Sequence, residues 1–573
     1  MGSGLPRCAV RDSIHAVGLA LLLGAAWTAR DHAGLAALRL PDADDGLRLQ
    51  QVRDWLGGQG FADLTQYRLG PPPGLPMHWS RIADLAPAAM ILLGTPILGS
   101  YAATIVAVTA VPILWFAVAL MLVAGIARRL AVPPGAALLV AALAYPATTI
   151  FAPGRIDHHG LQLVLVLALL RAALAAGTMG AGAAAGAASA ISLGIGLETA
   201  PILAVGGLGI AVRWVREGRA GQARMAGYAM ALLIGLGVER ALFATRGWDY
   251  PACDGFTATL WRAAMLGALA PAMMAGGGVV LEDPRGRLVV LLASGGTAVC
   301  AALLVSPACL SPYGAVDPVL ARVWLAKVAE AQTITAASWA QGIAFGGVAF
   351  AGLAAAAWQA WRSRTTAWTI LLAFQLVAVL ILLVQLRGAY VAAMLGAPAL
   401  AAMVSAARGR GPLLLGATWL GSAGIVYGMA GEAPAERAVP AATDCTAPAA
   451  LARVAALPPG LVVAPIDFSA DLLPVSRHRV LAGPYHRNTQ GNRAMLDLFQ
   501  SPPVQAEAVA RRWGVDYVAL CPDGLGELGA AGSDLNRLAG ALRAGQVPGW
   551  LAPVSKPGEV PNVYRLVGRG SAH

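Results

Sequence analysis

Apolar runs of roughly 20 residues, the length a bilayer core requires, recur through the first three quarters of this chain and restrict what it can become. Backbone that crosses such a medium must satisfy its polar groups internally, so each run is expected to be a helix. Only 12% of the 573 residues are charged and 57% are hydrophobic, whereas soluble chains carry about 25% charged residues. The sequence therefore predicts a polytopic α-helical membrane protein. Glycine and alanine crowd the apolar runs, as close helix packing in lipid favours. A net charge of +11 would suggest nucleic acid if the Lys and Arg gathered on one soluble face. They fall instead in short loops between apolar runs, where they set topology, and no nucleic-acid partner is expected.

The first run, 14–29, follows Arg7 and Arg11, which places the N-terminus in the cytoplasm. A cleaved signal peptide starts in the same way; lacking a persuasive cleavage site, the run is expected to stay as an anchor. Further spans are expected at 101–126, 133–151, 161–177, 181–196, 199–212, 225–243, 257–280, 288–305, 342–361, 367–386, 390–407 and 412–429, about 13 in all. The segment 85–99 reads as an interfacial or partly inserted helix. Arg128, Arg129, the basic loop 213–224, Arg285, Arg287, Arg362, Arg364, Arg408 and Arg410 mark the cytoplasmic turns. An odd count puts the termini on opposite sides of the membrane. The expected organisation is a membrane domain over 1–430, with large outer loops at 30–85 and 306–339, and an extracytoplasmic domain over 431–573. In that tail, strand-like runs at 460–465 and 515–520 flank a helix-like 504–513, which predicts a small α/β domain. Cys253, Cys309, Cys445 and Cys521 all fall on the outer side, and four cysteines allow three pairings. Cys253–Cys309 and Cys445–Cys521 are the expected disulfides of an oxidising compartment, with ordinary buried thiols as the alternative.

Three acidic groups come out on that same side. Asp42, Asp44 and Asp45 stand within four residues and repel one another unless a cation or proton is shared. The plainer alternative is a solvated loop whose aspartate caps a helix from about Leu47. Asp157 lies in Arg155-Ile156-Asp157-His158-His159, and Glu330 lies in Val328-Ala329-Glu330-Ala331-Gln332. Carboxylates converging from separate loops are what an oxygen-liganded divalent cation needs, with His158 or His159 as a candidate imidazole ligand. Arg387, in Gln385-Leu386-Arg387-Gly388-Ala389-Tyr390, is placed to grip a lipid phosphate or to snorkel to the interface. Arg155, His159, His78, Arg81 and Tyr390 are further candidates for substrate contact.

An Asp-rich first outer loop, a second acidic motif, about 13 spans and a C-terminal outer domain resemble the GT-C membrane glycosyltransferases, and within them the catalytic subunit of oligosaccharyltransferase. The segment 328–332 is similar to that subunit's Ser-Val-Ser/Ala-Glu-His-Gln segment. The resemblance implies that Asp44 or Asp45 is the first-loop catalytic aspartate, that Asp157 is the second-loop metal ligand, and that Glu330 is the glutamate of the long outer loop. Arg387 is similar to an arginine near the donor phosphate. The Trp-Trp-Asp acceptor-reading motif of that subunit is replaced here by Arg512-Trp513-Gly514-Val515-Asp516-Tyr517, so protein N-glycosylation is not implied. The segments 477–479 and 484–488 are polar enough to face an acceptor, or simply to form turns.

The expected activity is transfer of a sugar or oligosaccharide from a polyprenyl-phosphate or -diphosphate donor to a glycan, lipid or protein acceptor, inverting and assisted by Mg2+ or Mn2+. A bacterial-type inner membrane is the expected location. A flippase for lipid-linked sugars is the alternative from another class and predicts ionisable groups at mid-membrane depth and broken helices in matching halves; few charges fall inside the spans, Glu198 and Glu239 being the main ones, and the sequence shows no half-repeat. An O-antigen polymerase or ligase, working without a metal, is the third reading.

Overall fold

A computed structural model describes residues 5–311, 316–431, 444–522, 525, 528 and 532–568. The Ala- and Pro-rich lead into the tail, 432–443, lies outside the described residues. The chain forms two compact units: 1–32, 78–312 and 329–433 make the first, and 33–77, 313–328 and 434–573 make the second.

The first unit is helical. Among the described residues, nine helices are long and apolar enough to cross a membrane, and a tenth span results if Pro412–Ser422 and Gly424–Gly431, bent by 66° at their junction, are taken together. The protein is thus an integral membrane protein, as expected. The other expected spans are shorter or more polar: His159–Ala173 has 15 residues, Met179–Ile195 has 17, and Ala200–Glu217 ends in Arg213, Arg216 and Glu217. The segment expected at the interface forms Arg81–Leu98, which has the length and apolar composition of a span. One expectation needs correction. The expected span 133–151 is instead the nine-residue helix Pro134–Ala142 and a 3-10 turn, Ala147–Phe151, separated by a break at Pro146. Proline has no N–H to continue a helix and drives the preceding residue out of helical backbone.

Helices in this unit approach through glycine. A Cβ on Gly182 would lie 1.9 Å from the Arg224 carbonyl oxygen, and one on Gly186 would lie 2.4 Å from that of Tyr228. From the facing helix, a Cβ on Gly227 would come within 2.2 Å of the Met179 carbonyl. The pair Met179–Ile195 and Arg219–Phe243 is therefore in backbone contact, the use of small residues that lipid-embedded packing requires. The fully buried Arg287, expected only to mark a cytoplasmic turn, donates to the carbonyls of Leu281, Trp214, Gly218 and Gly278 at 2.7–3.2 Å. Its charge is met by helix-end carbonyls. Cys253 and Cys309 are disulfide-bonded, with Cα atoms 4.9 Å apart.

The second unit is built on a five-stranded sheet. Its order is Arg479–Val480, Leu461–Val463, Tyr517–Leu520, Asn562–Leu566, Leu551–Pro553. The first three strands are parallel and the last two antiparallel. Helices Thr489–Gln500 and Pro503–Trp513 supply Met495, Phe499, Ala506 and Ala510 to the core beneath Val463, Val518 and Leu520. Leu320 and Trp324, from the segment 313–328, join the same core. The small α/β domain expected in the tail thus also takes in two pieces from earlier in the chain. Cys445 pairs with Cys521.

Within the helix Ile466–Leu472, burial pushes the Asp471 carboxyl up to about 6 against the pull of Arg39, with Asp467, Asp444 and Asp42 adding to the rise. A raised acid pKa means that the folded state binds the proton more tightly than the unfolded chain does. Stability is therefore full below the ordinary value of 3.8 and falls as pH climbs to about 6. Asp471→Asn is expected to stabilise this unit by about 1–3 kcal/mol at pH 7.5 and by almost nothing at pH 3. Hydrogen exchange over 461–475 in the full-length protein, corrected for the intrinsic rate, measures this; equal protection in both proteins at pH 7.5 contradicts it.

Candidate functional site

The first unit gathers six charged or ionisable side chains from four places in the chain. Asp157, His158 and His159 come from the N-terminal end of the helix His159–Ala173. The loop before it is hooked in place by Gly154, whose N–H donates to the Val108 carbonyl at 2.8 Å from a backbone with φ of 93°. Asp157 accepts the backbone N–H of His158, so the acid holds the turn that presents both histidines. The Asp157 side chain is only 4% exposed and the two imidazoles 9% and 10%.

Glu198 stands in the short turn between Met179–Ile195 and Ala200–Glu217. A 2.7 Å hydrogen bond between the Ser192 and Thr199 hydroxyls closes that turn. Glu330 and Arg387 are positioned by one another's backbone. The Arg387 N–H donates to the Glu330 carbonyl at 3.1 Å, and the Leu386 N–H donates to the Gln332 carbonyl at 2.9 Å.

The side chains then interlock. Arg387 Nη1 donates to Glu198 Oε1 at 2.5 Å, and its Nε donates to Gln385 Oε1 at 2.8 Å. Glu198 Oε2 lies 3.3 Å from His158 Nε2 and 3.2 Å from His159 Nδ1. The other nitrogens face the remaining acids: His158 Nδ1 contacts Asp157 Oδ1, while His159 Nε2 is 3.2 Å from Asp157 Oδ2 and 3.7 Å from Glu330 Oε2. The Tyr390 ring lies 6.3 Å from that of His159. Burial would raise the Glu198 carboxyl, but Arg387, His159 and His158 outweigh it and hold the group well below the usual carboxylate range. Burial would lower His158, yet the charges of Asp157 and Glu198 raise it above the usual imidazole value.

The cluster suits a cation. Ligand atoms of Asp157, His158 and His159 lie within 4.8 Å of one another, close to the roughly 3–4.5 Å that separates ligands of one ion. A bound dication would take the place of the imidazole protons these acids favour: with both rings neutral, three carboxylates (Asp157, Glu198, Glu330) stand against one guanidinium (Arg387), leaving these six side chains at −2, which the ion cancels.

The structure thus brings together Asp157, His158, His159, Glu330, Arg387 and Tyr390. Arg155 is half-buried in the same loop. Arg81 is paired instead with Asp84 at 3.1 Å in the first turn of Arg81–Leu98, and both are buried. The backbone of His78 abuts Gly255, where a Cβ would come within 2.4 Å of the His78 carbonyl. Asp42, Asp44 and Asp45 belong to the second unit. There the helix starts at Ala43, earlier than the expected Leu47, because the Asp42 side chain accepts the Asp44 N–H at 3.1 Å and caps it. Asp44 and Asp45 therefore sit in the first turn, where the helix dipole favours acids, and Asp45 is fully buried. Glu198 is not among the expected site residues. Pro201, just inside the following helix, is the signal that Glu198 ends a turn rather than sitting within a span. Glu239, by contrast, is within a helix; among the described residues neither of its buried carboxylate oxygens has a hydrogen-bond partner, and the group fills the notch left by Gly194.

No protein-family model matches the chain, and no curated protein matches it in sequence. Solved structures do match, and the class they define is that of a membrane oligosaccharyltransferase fold. The apo oligosaccharyltransferase of Archaeoglobus fulgidus aligns with a TM-score of 0.60 at 14% identity, covering 89% of this chain and 69% of that one. AglB from Archaeoglobus fulgidus in complex with an inhibitory peptide and a dolichol-phosphate gives the same values. The Archaeoglobus enzyme in complex with zinc and sulfate aligns at 0.58 and 15%, covering 86% and 67%. At this identity the likeness establishes the fold, which is the one the sequence resemblance implies.

Proposed function

We propose that the protein is an integral-membrane glycosyltransferase that moves a sugar or oligosaccharide from a polyprenyl-phosphate or -diphosphate donor to an extracytoplasmic acceptor. The observation that carries this reading is the convergence of an acid–imidazole cluster and an arginine within an oligosaccharyltransferase-like fold. The dolichol-phosphate, zinc and sulfate of the Archaeoglobus complexes support a lipid phosphate and a metal here too.

In this reading Asp157, His158, His159 and Glu330 hold a divalent cation. When bound, it supplies positive charge opposite the leaving phosphate. Two imidazoles among the ligands favour manganese or zinc over magnesium, which prefers oxygen alone. Arg387 offers a planar fork to the phosphate. An acceptor hydroxyl or amide forms the new bond to the anomeric carbon as the bond to the phosphate oxygen breaks. Its proton passes to a general base. A single displacement of this kind inverts the anomeric configuration. The positive-inside distribution of arginine supports a cytoplasmic N-terminus and an extracytoplasmic tail.

The test uses the purified full-length protein, a synthetic short-chain polyprenyl-phosphate sugar and a membrane glycan acceptor. Glycosylated product with stoichiometric release of polyprenyl phosphate is expected, with loss of more than 90% of the rate under a strong chelator and recovery on adding Mn2+. Turnover indifferent to chelation favours a polymerase- or ligase-like enzyme. Donor crossing of vesicles without bond cleavage favours a flippase.

A further inference from the structure

Glu198 faces both histidines and the arginine at once, a position that nothing in the oligosaccharyltransferase resemblance assigns. We infer that Glu198 is the positioning residue of the cation site: it selects the tautomer of each imidazole so that both open nitrogens point at the same place. This inference rests on the cation reading above.

A neutral imidazole has one N–H and one lone pair, and the carboxylate that accepts the N–H decides which nitrogen is left to bind. Glu198 Oε2 is 3.3 Å from Nε2 of His158 and 3.2 Å from Nδ1 of His159, different ring atoms of two adjacent residues. With protons on those two atoms, the lone pairs fall on His158 Nδ1 and His159 Nε2. Those are the atoms turned to the Asp157 carboxylate, and His159 Nε2 also lies 3.7 Å from Glu330 Oε2. One acid thus turns two neighbouring rings, with centroids 4.4 Å apart, into a convergent set of two nitrogens beside two carboxylates. The other oxygen of Glu198 is fixed by Arg387 Nη1 at 2.5 Å, which keeps the acid from following the histidines. The turn beneath it is closed by the Ser192–Thr199 hydrogen bond. Partners of this kind, one shell outside a metal, typically alter metal affinity by about 10- to 100-fold when removed.

The test is Mn2+ binding to the full-length protein in detergent at pH 7.5, read by titration and by the nitrogen couplings in the pulsed electron-spin-echo spectrum. The unaltered protein is expected to bind Mn2+ with couplings from two imidazoles. Glu198→Gln can keep an oxygen toward both rings only by turning its amide donors against Arg387, and is expected to bind about 10- to 100-fold more weakly and to lose at least one coupling. Loss of a merely structural contact would leave the two-imidazole signature of the bound ion intact. Should Glu198→Gln not fold, Glu198→Asp serves instead: its carboxylate is drawn back by about 1.5 Å and cannot reach both rings. Weaker binding with one coupling is then expected. Unchanged affinity and two couplings in the variant overturn the role given to Glu198. No Mn2+ binding by the unaltered protein overturns the cation reading itself, a separate failure.

Discussion

Asp157→Asn is expected to leave the protein folded and reduce sugar transfer by about 100- to 1,000-fold, the range seen when one preorganised electrostatic group is removed from an active site. Asparagine keeps an oxygen able to accept the His158 N–H, so the turn that starts His159–Ala173 survives. Without the carboxylate, His158 and His159 lose the anion that faces their inner nitrogens, and the proposed cation loses its most buried oxygen ligand. Asp157→Ala adds the loss of the hydrogen bond at the helix start, about 1 kcal/mol, and is expected to lower the melting midpoint as well. Single-turnover formation of glycosylated product, followed by mass spectrometry, separates these effects. An Asp157→Asn variant that keeps more than a tenth of the rate would remove Asp157 from the mechanism.

The second large effect is structural. Gly182→Ala places a methyl group 1.9 Å from the Arg224 carbonyl oxygen, a distance that backbone must yield to. Met179–Ile195 has to move away from Arg219–Phe243, and Gly186 and Gly227 lose their close approach with it. Forced overpacking of a tight interior costs about 1–3 kcal/mol, and more where the obstacle is main chain, so a loss of at least about 3 kcal/mol or failure to accumulate in the membrane is expected. Gly180 is the internal comparison: it lies on the same helix, and nothing stands within 4 Å of its added Cβ. Gly180→Ala is expected to be neutral or stabilising by up to about 1 kcal/mol through helix propensity. Equal melting midpoints for the two variants would refute the backbone contact.

Asp157 and Gly182 mark where sequence reading reaches and where it stops. The apolar runs identify most of the long helices, because span length is set by the bilayer and not by neighbours. Asp157, His158 and His159 are legible as a unit because their chemistry is adjacent in the chain. The pairing of Arg387 with Glu330 is not, since it rests on main-chain hydrogen bonds between segments more than fifty residues apart. Glu198 escapes because a lone acid beside a span carries no spacing signal, and only the fold shows which rings it faces. The facing partner of Gly182 is hidden in the same way, since a glycine-rich run shows that helices can approach but not which ones do. The expected boundary near residue 430 marks a real change of composition, but composition could not reveal that 33–77 and 313–328 group with the tail. Pro146 breaks a run that hydropathy alone reads as continuous.

The two peptide hydrogen bonds that tie 330 and 332 to 387 and 386 are made without any side chain. Such a seam is blind to residue identity. Exchanging what stands at 330 or 387 alters the charge presented while the spacing of the two positions stays as the main chain sets it. A lineage could re-specify the charge presented there without rebuilding the bundle that carries the seam.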